Sequence, residues 1–228
     1  MDQLIPNQTI QDYLKHIYNL TQNGQPANTN TLAESLELRP GTVSEMINRM
    51  SKMQPALVDH QKYQGVRLTP PGEKMALRVI RRHRLLETFL VKVLGYSWDM
   101  VHEEACRMEH IVSDEFEARI ATMLGEPSHS PHGEPIPTSA LVMPPLYEET
   151  LASMVPNQHA TILQVPDSDP GLLRFLSSIG FIPGKTVKVL QHFPFDGNLM
   201  VTVGNEQASH VLGLAITSKI YVKKMDSQ

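Results

Sequence analysis

Apolar residues recur every three to four positions through Ile10, Tyr13, Leu14, Ile17 and Tyr18 of IQDYLKHIYNLTQ, the period of a helix with one buried face. A break at Asn23, Gly24 and Pro26 separates it from TNTLAESLEL, which predicts a short helix with Leu32, Ala33, Leu36 and Leu38 facing inward. After Arg39, Pro40 and Gly41 comes a third helix, TVSEMINRMSKM, with Val43, Met46, Ile47 and Met50 as its core stripe. Two short helices across a tight turn form a helix-turn-helix. The text ALVDHQKYQGVRLTPPGEK then alternates like a hairpin, with Gln64 and Gly65 near its tip, so residues 1–73 predict a winged helix.

Over residues 74–125 the period is again helical, with two or three helices separated near Gly95, Tyr96 and Ser97. Their wide apolar stripes exceed what so small a unit buries alone, which favours a dimer interface. Residues 126–147, rich in Pro, Ser, Gly and His, read as a linker with little helix or strand. Residues 148–228 alternate short apolar runs with turns. ATILQVPD, KTVKVLQHF, NLMVTVG, SHVLGL and KIYVKK read as five strands and GLLRFLSSIG as a helical insert, the pattern of a small SH3-like barrel. The expected class is α+β: a winged helix-turn-helix, a helical dimerisation domain and a small C-terminal barrel.

Composition agrees with this modular reading, since 41% hydrophobic residues among 228 suffices for ordinary cores in two or three small domains. No run reaches the roughly 18 to 20 apolar residues that cross a bilayer, and MDQLIPNQTI lacks the order of a signal peptide, so a cytoplasmic protein without membrane partners is expected. Residues 126–228 hold six Lys or Arg against nine Asp or Glu, within a net charge of −4, so any DNA-binding face must be local. The third helix offers Arg39, Pro40, Thr42, Ser44, Glu45, Asn48 and Arg49 to bases and phosphates of a major groove, and the wing offers Lys62, Tyr63 and Arg67 to the backbone. Such residues also decorate ordinary solvated helices, and winged helices also serve as protein-interaction modules.

The most specific chemistry lies in HEEACRMEH. On one continuous helix, His102, Cys106, Glu109 and His110 fall on one face, and His83 and Glu87 stand four apart in RRHRLLETFL upstream. Two ligand-bearing helices predict a metal site with more than one position. The single cysteine rules out an internal disulfide and reads as a ligand or a redox-sensitive thiol, with a buried structural cysteine as the alternative. A catalytic zinc site is the rival class. Against an enzyme, and against a small-molecule substrate, the chain has no HExxH run, GxSxG elbow or phosphate-cradling glycine loop. A redox sensor acting through Cys106 is a third reading.

DYLKHIY, GTVSEMINRM, RRHRLLE, HEEACRMEH, SPHGEPIP and LSSIGFIPG, in this order over nearly the whole chain, resemble the diphtheria toxin repressor family of iron-dependent and manganese-dependent regulators. The resemblance implies a repressor that dimerises, binds a palindromic double-stranded operator when a divalent transition metal is abundant, and silences metal-uptake genes. It implies Asp12, Cys106, Glu109 and His110 as a primary activating site and His83, Glu87 and His102 as an ancillary one, hence two ions per subunit. Asp169 of the loop VPDSDPG, with Asp167 as second choice, is the ancillary ligand expected from the barrel, and His132 is a further candidate. Iron-responsive relatives carry a methionine at the Asp12 position, and manganese-responsive ones commonly carry a carboxylate at the Cys106 position. This chain has one feature of each. Asp12 and the wing text KYQGVRLT favour Mn(II), with Fe(II) next. Lys15 stands where some two-domain manganese sensors have a second acidic ligand.

Overall fold

In a computed structural model of the chain, residues 7–61, 64–204 and 208–225 are described. They form two compact units: the described residues within 7–82, 109–112 and 137–143 contribute to the first, and those within 83–108, 113–136 and 144–225 to the second.

The first unit is the winged helix. Helix α1 (Gln8–Leu20) starts where Asn7 accepts from Ile10 N, α2 spans Thr29–Ser35, and α3 spans Pro40–Ser51 with a proline in its first turn, where the missing N–H costs nothing. Strands β1 (Val58–Gln61) and β2 (Gly65–Leu68) form the antiparallel wing. Ile10, Tyr13, Leu14, Ile17, Leu32, Val43, Ile47, Met50 and Val66 meet in one core with Ala76, Leu77 and Ile80 from the start of α4 (Pro70–Lys92). At Gly72 that helix comes so close to the chain before β1 that a Cβ would lie 1.9 Å from the Leu57 carbonyl oxygen, so only glycine fits. Leu38, expected inward, is 41% exposed, because α2 ends at Ser35 and a left-handed residue, Glu37 (φ 56°), takes the chain out of the helical period.

The second unit contains the rest of α4, then α5 (Val101–Met108) and α6 (Asp114–Met123). The expected single helix through His110 does not form. It stops at Met108, and Glu109 and His110 lie in a turn that belongs to the first unit. The sequence supplies the reason in Ser113, which accepts from Phe116 N and, with Asp114, Glu115 and Glu117, starts a new helix. The five expected strands all form, as β3 (His159–Gln164), β4 (Thr186–His192), β5 (Leu199–Val203), β6 (His210–Leu212) and β7 (Tyr221–Lys224). They make one antiparallel sheet in the order β6-β5-β4-β3-β7. Helix α7 (Pro170–Ser178) is the predicted insert, and its Leu173 and Leu176 join Ile162, Val187, Val201 and Val222 in the second core. A last short helix, α8 (Leu214–Thr217), precedes β7.

The Pro-rich stretch has no helix or strand, yet it is held along its length. Residues 137–143 belong to the first unit, where Arg81 donates to the Pro137 carbonyl and Leu141 and Met143 pack on the core. Residues before 137 belong to the second. There Val165 N donates to the His132 carbonyl, Arg84 donates to the Pro135 carbonyl, and Gly133 (φ 90°) passes so near β3 that a Cβ would lie 1.8 Å from Leu163 O. No helix among the described residues is long and apolar enough to cross a membrane.

Candidate metal centres

In the first unit, α1 presents Asp12 to the turn carrying Glu109 and His110. His110 Nε2 lies 2.9 Å from Asp12 Oδ1 and 3.4 Å from Glu109 Oε1, and its Nδ1 lies 3.0 Å from Gln11 Oε1. Held by an acceptor on its outer nitrogen, the ring turns its inner nitrogen toward two carboxylates, the arrangement that orients a metal-ligating histidine. Glu109 is buried, and the Lys15 ammonium donates to both of its oxygens at 3.0 and 2.8 Å. The sequence pattern gave no sign of Gln11 as a partner of His110.

In the second unit, the i, i+4 spacing on α4 brings His83 Nε2 within 3.0 Å of Glu87 Oε1. His102 of α5 lies 3.2 Å from His83 Nε2, 3.4 Å from Glu87 Oε1 and 3.4 Å from Asp167 Oδ2. Cys106 Sγ stands 3.9 Å from His83 Nδ1 and 3.8 Å from His102 Nε2. Asp167 approaches from the loop before α7. Asp169, the residue expected there, instead caps α7, accepting from the backbone N–H groups of Gly171 and Leu172. The order of the two aspartates decides this, since Asp169 directly precedes Pro170 at the helix start and Asp167 does not.

The SPHGE turn adds two more side chains. Ser130 Oγ accepts from the N–H groups of His132 and Glu134, holding both residues toward Glu87. Sequence reading named His132 but missed Glu134. The alternation of His and Glu about Gly133 in one tight turn was the available signal.

Charge in this cluster is shared between imidazoles and carboxylates. Hydrogen bonds to Asp167, Cys106 and Glu87 push His102 up to about 12 despite burial. Burial would raise Asp167, but the hydrogen bond from His102 takes it down to about 2. Burial would likewise raise Glu87, yet the His83 charge and the nearby His102 and His83 imidazoles hold it well below the usual carboxylate range. Burial and the Asp167 charge raise Glu134 to about 6, with Arg84 opposing.

In the winged helix, Arg39, at the N-cap of α3, and Pro40, Thr42, Ser44, Glu45, Asn48 and Arg49 of α3 are all exposed. Ser44 Oγ donates to the Pro40 carbonyl, and Arg67 is exposed with its guanidinium on the Gly24 carbonyl at 2.7 Å. Lys62 and Tyr63 lie outside the described residues.

Residues 7–66 match the iron dependent repressor N-terminal DNA binding domain, residues 69–138 the iron dependent repressor metal binding and dimerisation domain, and residues 149–224 the FeoA domain. The iron-dependent repressor IdeR of Mycobacterium leprae is 40% identical over 129 residues, which are 57% of this chain and 55% of that protein. The diphtheria toxin repressor of Corynebacterium diphtheriae is 40% identical over 129 residues, covering 57% and 56%. The match thus spans little more than half the length of these curated relatives. Solved structures extend the likeness to the rest of the chain. A manganese-dependent transcriptional repressor in complex with manganese superposes with a TM-score of 0.85 at 37% identity, over 95% of this chain and 100% of that one. ScaR with bound Zn2+ does so with a TM-score of 0.82 at 31% identity, over 96% and 100%. With both repressor domains and a FeoA domain matched in order, and likeness to such repressors along its length, the chain belongs to the diphtheria toxin repressor family of metal-dependent transcriptional repressors.

Proposed function

We propose that this protein binds double-stranded operator DNA as a homodimer when loaded with Mn(II) or, as the runner-up, Fe(II), that it represses metal-uptake genes in the cytoplasm, and that it is not an enzyme. The observation that carries the reading is a set of nitrogen, oxygen and sulfur donors around the buried Glu87, in which Glu87 Oε2 and His132 Nδ1 have no hydrogen-bond partner among the described residues. Unpaired buried polar atoms are costly, and a divalent cation satisfies both kinds of donor at once. Asp12, Glu109 and His110 are the proposed ligands of the activating site, and His83, Glu87, His102 and Asp167 those of the ancillary one. Cys106, which the family resemblance assigns to the activating site, instead stands beside His83 and His102 and is proposed as a donor there, which a Cys106→Ser titration tests.

A bound cation would supply the positive charge that lets these carboxylates share one place. The protein's own part is mechanical. Asp12 sits on α1, whose Leu14 and Ile17 pack in the same core as Val43 and Ile47 of α3, so fixing Asp12 against Glu109 and His110 fixes the helix that bears Arg39 to Arg49. Loading then favours one member of an existing ensemble. Oxygen donors predominate, which supports manganese; the sulfur of Cys106 is the feature that supports iron.

Fluorescence anisotropy of the chelator-stripped protein on DNA from its own upstream region, titrated anaerobically with Mn(II), Fe(II), Co(II) and Zn(II), tests this. Tight binding only with metal is expected, strongest at low free Mn(II). Equal binding in chelator overturns the reading.

A further inference from the structure

The outer face of the C-terminal sheet carries positive charge without a carboxylate to answer it. Ala160, Ile162, Val187, Val189 and Val222 point into the second core. Side chains alternate along a strand, so the residues between them point the other way. The register then sets these side by side. Thr202 of β5, Lys188 of β4 and His159 of β3 stand in one cross-strand row, and Thr186 of β4, Thr161 of β3 and Lys223 of β7 stand in the next. Three hydroxyls, an imidazole and two ammonium groups share this face, and none of the six residues is acidic.

Opposite charges across strands would stabilise such a face, yet they are missing from it. Four carboxylates of the domain are committed elsewhere: Glu149 takes Lys224 at 2.6 Å, Asp167 faces His102, Asp169 caps α7 and Asp196 accepts from Asn198. Neither Lys188 nor Lys223 has an ion-pair partner among the described residues. The chain as a whole holds 24 acidic against 20 basic residues, so two lysines with no carboxylate run against its composition. Lysine on an edge strand discourages pairing with another sheet, which is reason enough for Lys223 on β7. It is no reason for Lys188, because β4 is the middle strand of the five.

We propose that this face is a second, sequence-independent contact with DNA. The ammonium groups of Lys188 and Lys223 neutralise backbone phosphates, and the hydroxyls of Thr161, Thr186 and Thr202 donate to phosphate oxygens, as lysine and threonine do in protein–DNA interfaces generally. β4 and β7 lie two strand spacings apart, roughly 10 Å, which is about three phosphates of one DNA strand at 3.4 Å of axis each. The proposal rests on the DNA-binding function put forward above and adds a contact outside the winged helix.

The test is the salt dependence of DNA binding by the metal-loaded full chain, read by fluorescence anisotropy over a series of KCl concentrations on DNA from its own upstream region. Lys188→Gln with Lys223→Gln is expected to remove about two phosphate contacts per chain, so the slope of log K against log salt becomes shallower by roughly 1.8 per chain, about 3.6 for a dimer. Lys188→Arg with Lys223→Arg should keep the wild-type slope, and bound metal counted by elemental analysis should be the same in both double variants. Acetylation of wild-type amines, mapped by mass spectrometry with and without DNA, needs no variant to fold, and both lysines should become protected in the complex. An unchanged slope in the Gln variant, or equal labelling of both lysines with and without DNA, overturns the proposal and leaves an acidic protein segment as the complement of this charge. If wild-type DNA binding requires metal in that case, the repressor reading stands while this contact falls. A shallower slope in the Gln variant together with metal-independent binding has the opposite meaning.

Discussion

In the winged-helix unit the buried carboxylate of Glu109 meets a cation that the chain itself supplies, Lys15, whose ammonium sits on both oxygens. In the other unit, Glu87 is equally buried but is surrounded by imidazoles, and one of its oxygens is left without a hydrogen bond among the described residues. Both places solve the same problem, a carboxylate removed from water, and they solve it with different reserves. A lysine offers a permanent charge that an arriving ion has to compete with. Imidazoles offer a charge that departs with a proton and leaves a ligand behind. The first arrangement suits a threshold, at which metal replaces an internal counter-ion; the second suits tight retention.

The most disruptive way to break this contrast is Glu87→Ala. Removing the common partner of His83, His102 and His132 leaves uncompensated buried charge, and urea unfolding in chelator should show a loss of about 3–5 kcal/mol. A loss under about 1 kcal/mol would mean that the imidazoles do not depend on Glu87. Next is Asp12→Ala, which should cut the metal-dependent gain in DNA affinity by about 100-fold while leaving metal in the second unit, read by anisotropy and elemental analysis together. Unchanged coupling would show that the first site does not set the position of α3. Lys15→Met sharpens the comparison, because freeing Glu109 from its ammonium should lower the Mn(II) concentration at half-activation about tenfold, roughly 1.4 kcal/mol. A shift the other way would make Lys15 an ally of the ion. The smallest effect belongs to Asp169→Ala, which should cost about 1 kcal/mol of stability as a lost helix cap and no metal. Asp167→Ala, measured alongside, should lose metal from the second unit.

Several of these residues were legible in the chain and several were not. The i, i+4 pair His83 and Glu87 works as spacing on a helix predicts, since α4 runs uninterrupted past both. HEEACRMEH misled in one respect. Its spacing on a continuous helix places Cys106 beside Glu109 and His110, but the helix ends at Met108 because Ser113 starts another. His102 and Cys106 therefore face His83, while Glu109 and His110 face Asp12. The composition of the Pro-rich stretch predicts a linker, yet its hydrogen bonds to α4 and to the chain after β3 make it a strap that delivers His132 and Glu134.

The sequence by itself determined the order of the winged helix, the helical segment and the sheet, because apolar periods of 3.6 and 2 fix which face of each local element must be buried. It also determined the kinds of ligand present, since donor chemistry is a property of the side chain alone. Which donors meet was decided only by the tertiary structure. Glu87 to His132 and Asp12 to His110 are pairings across long stretches of chain, and no local period encodes them. They follow from where a helix stops, from the absence of a side chain at Gly133 and from which of two aspartates is taken by a helix cap.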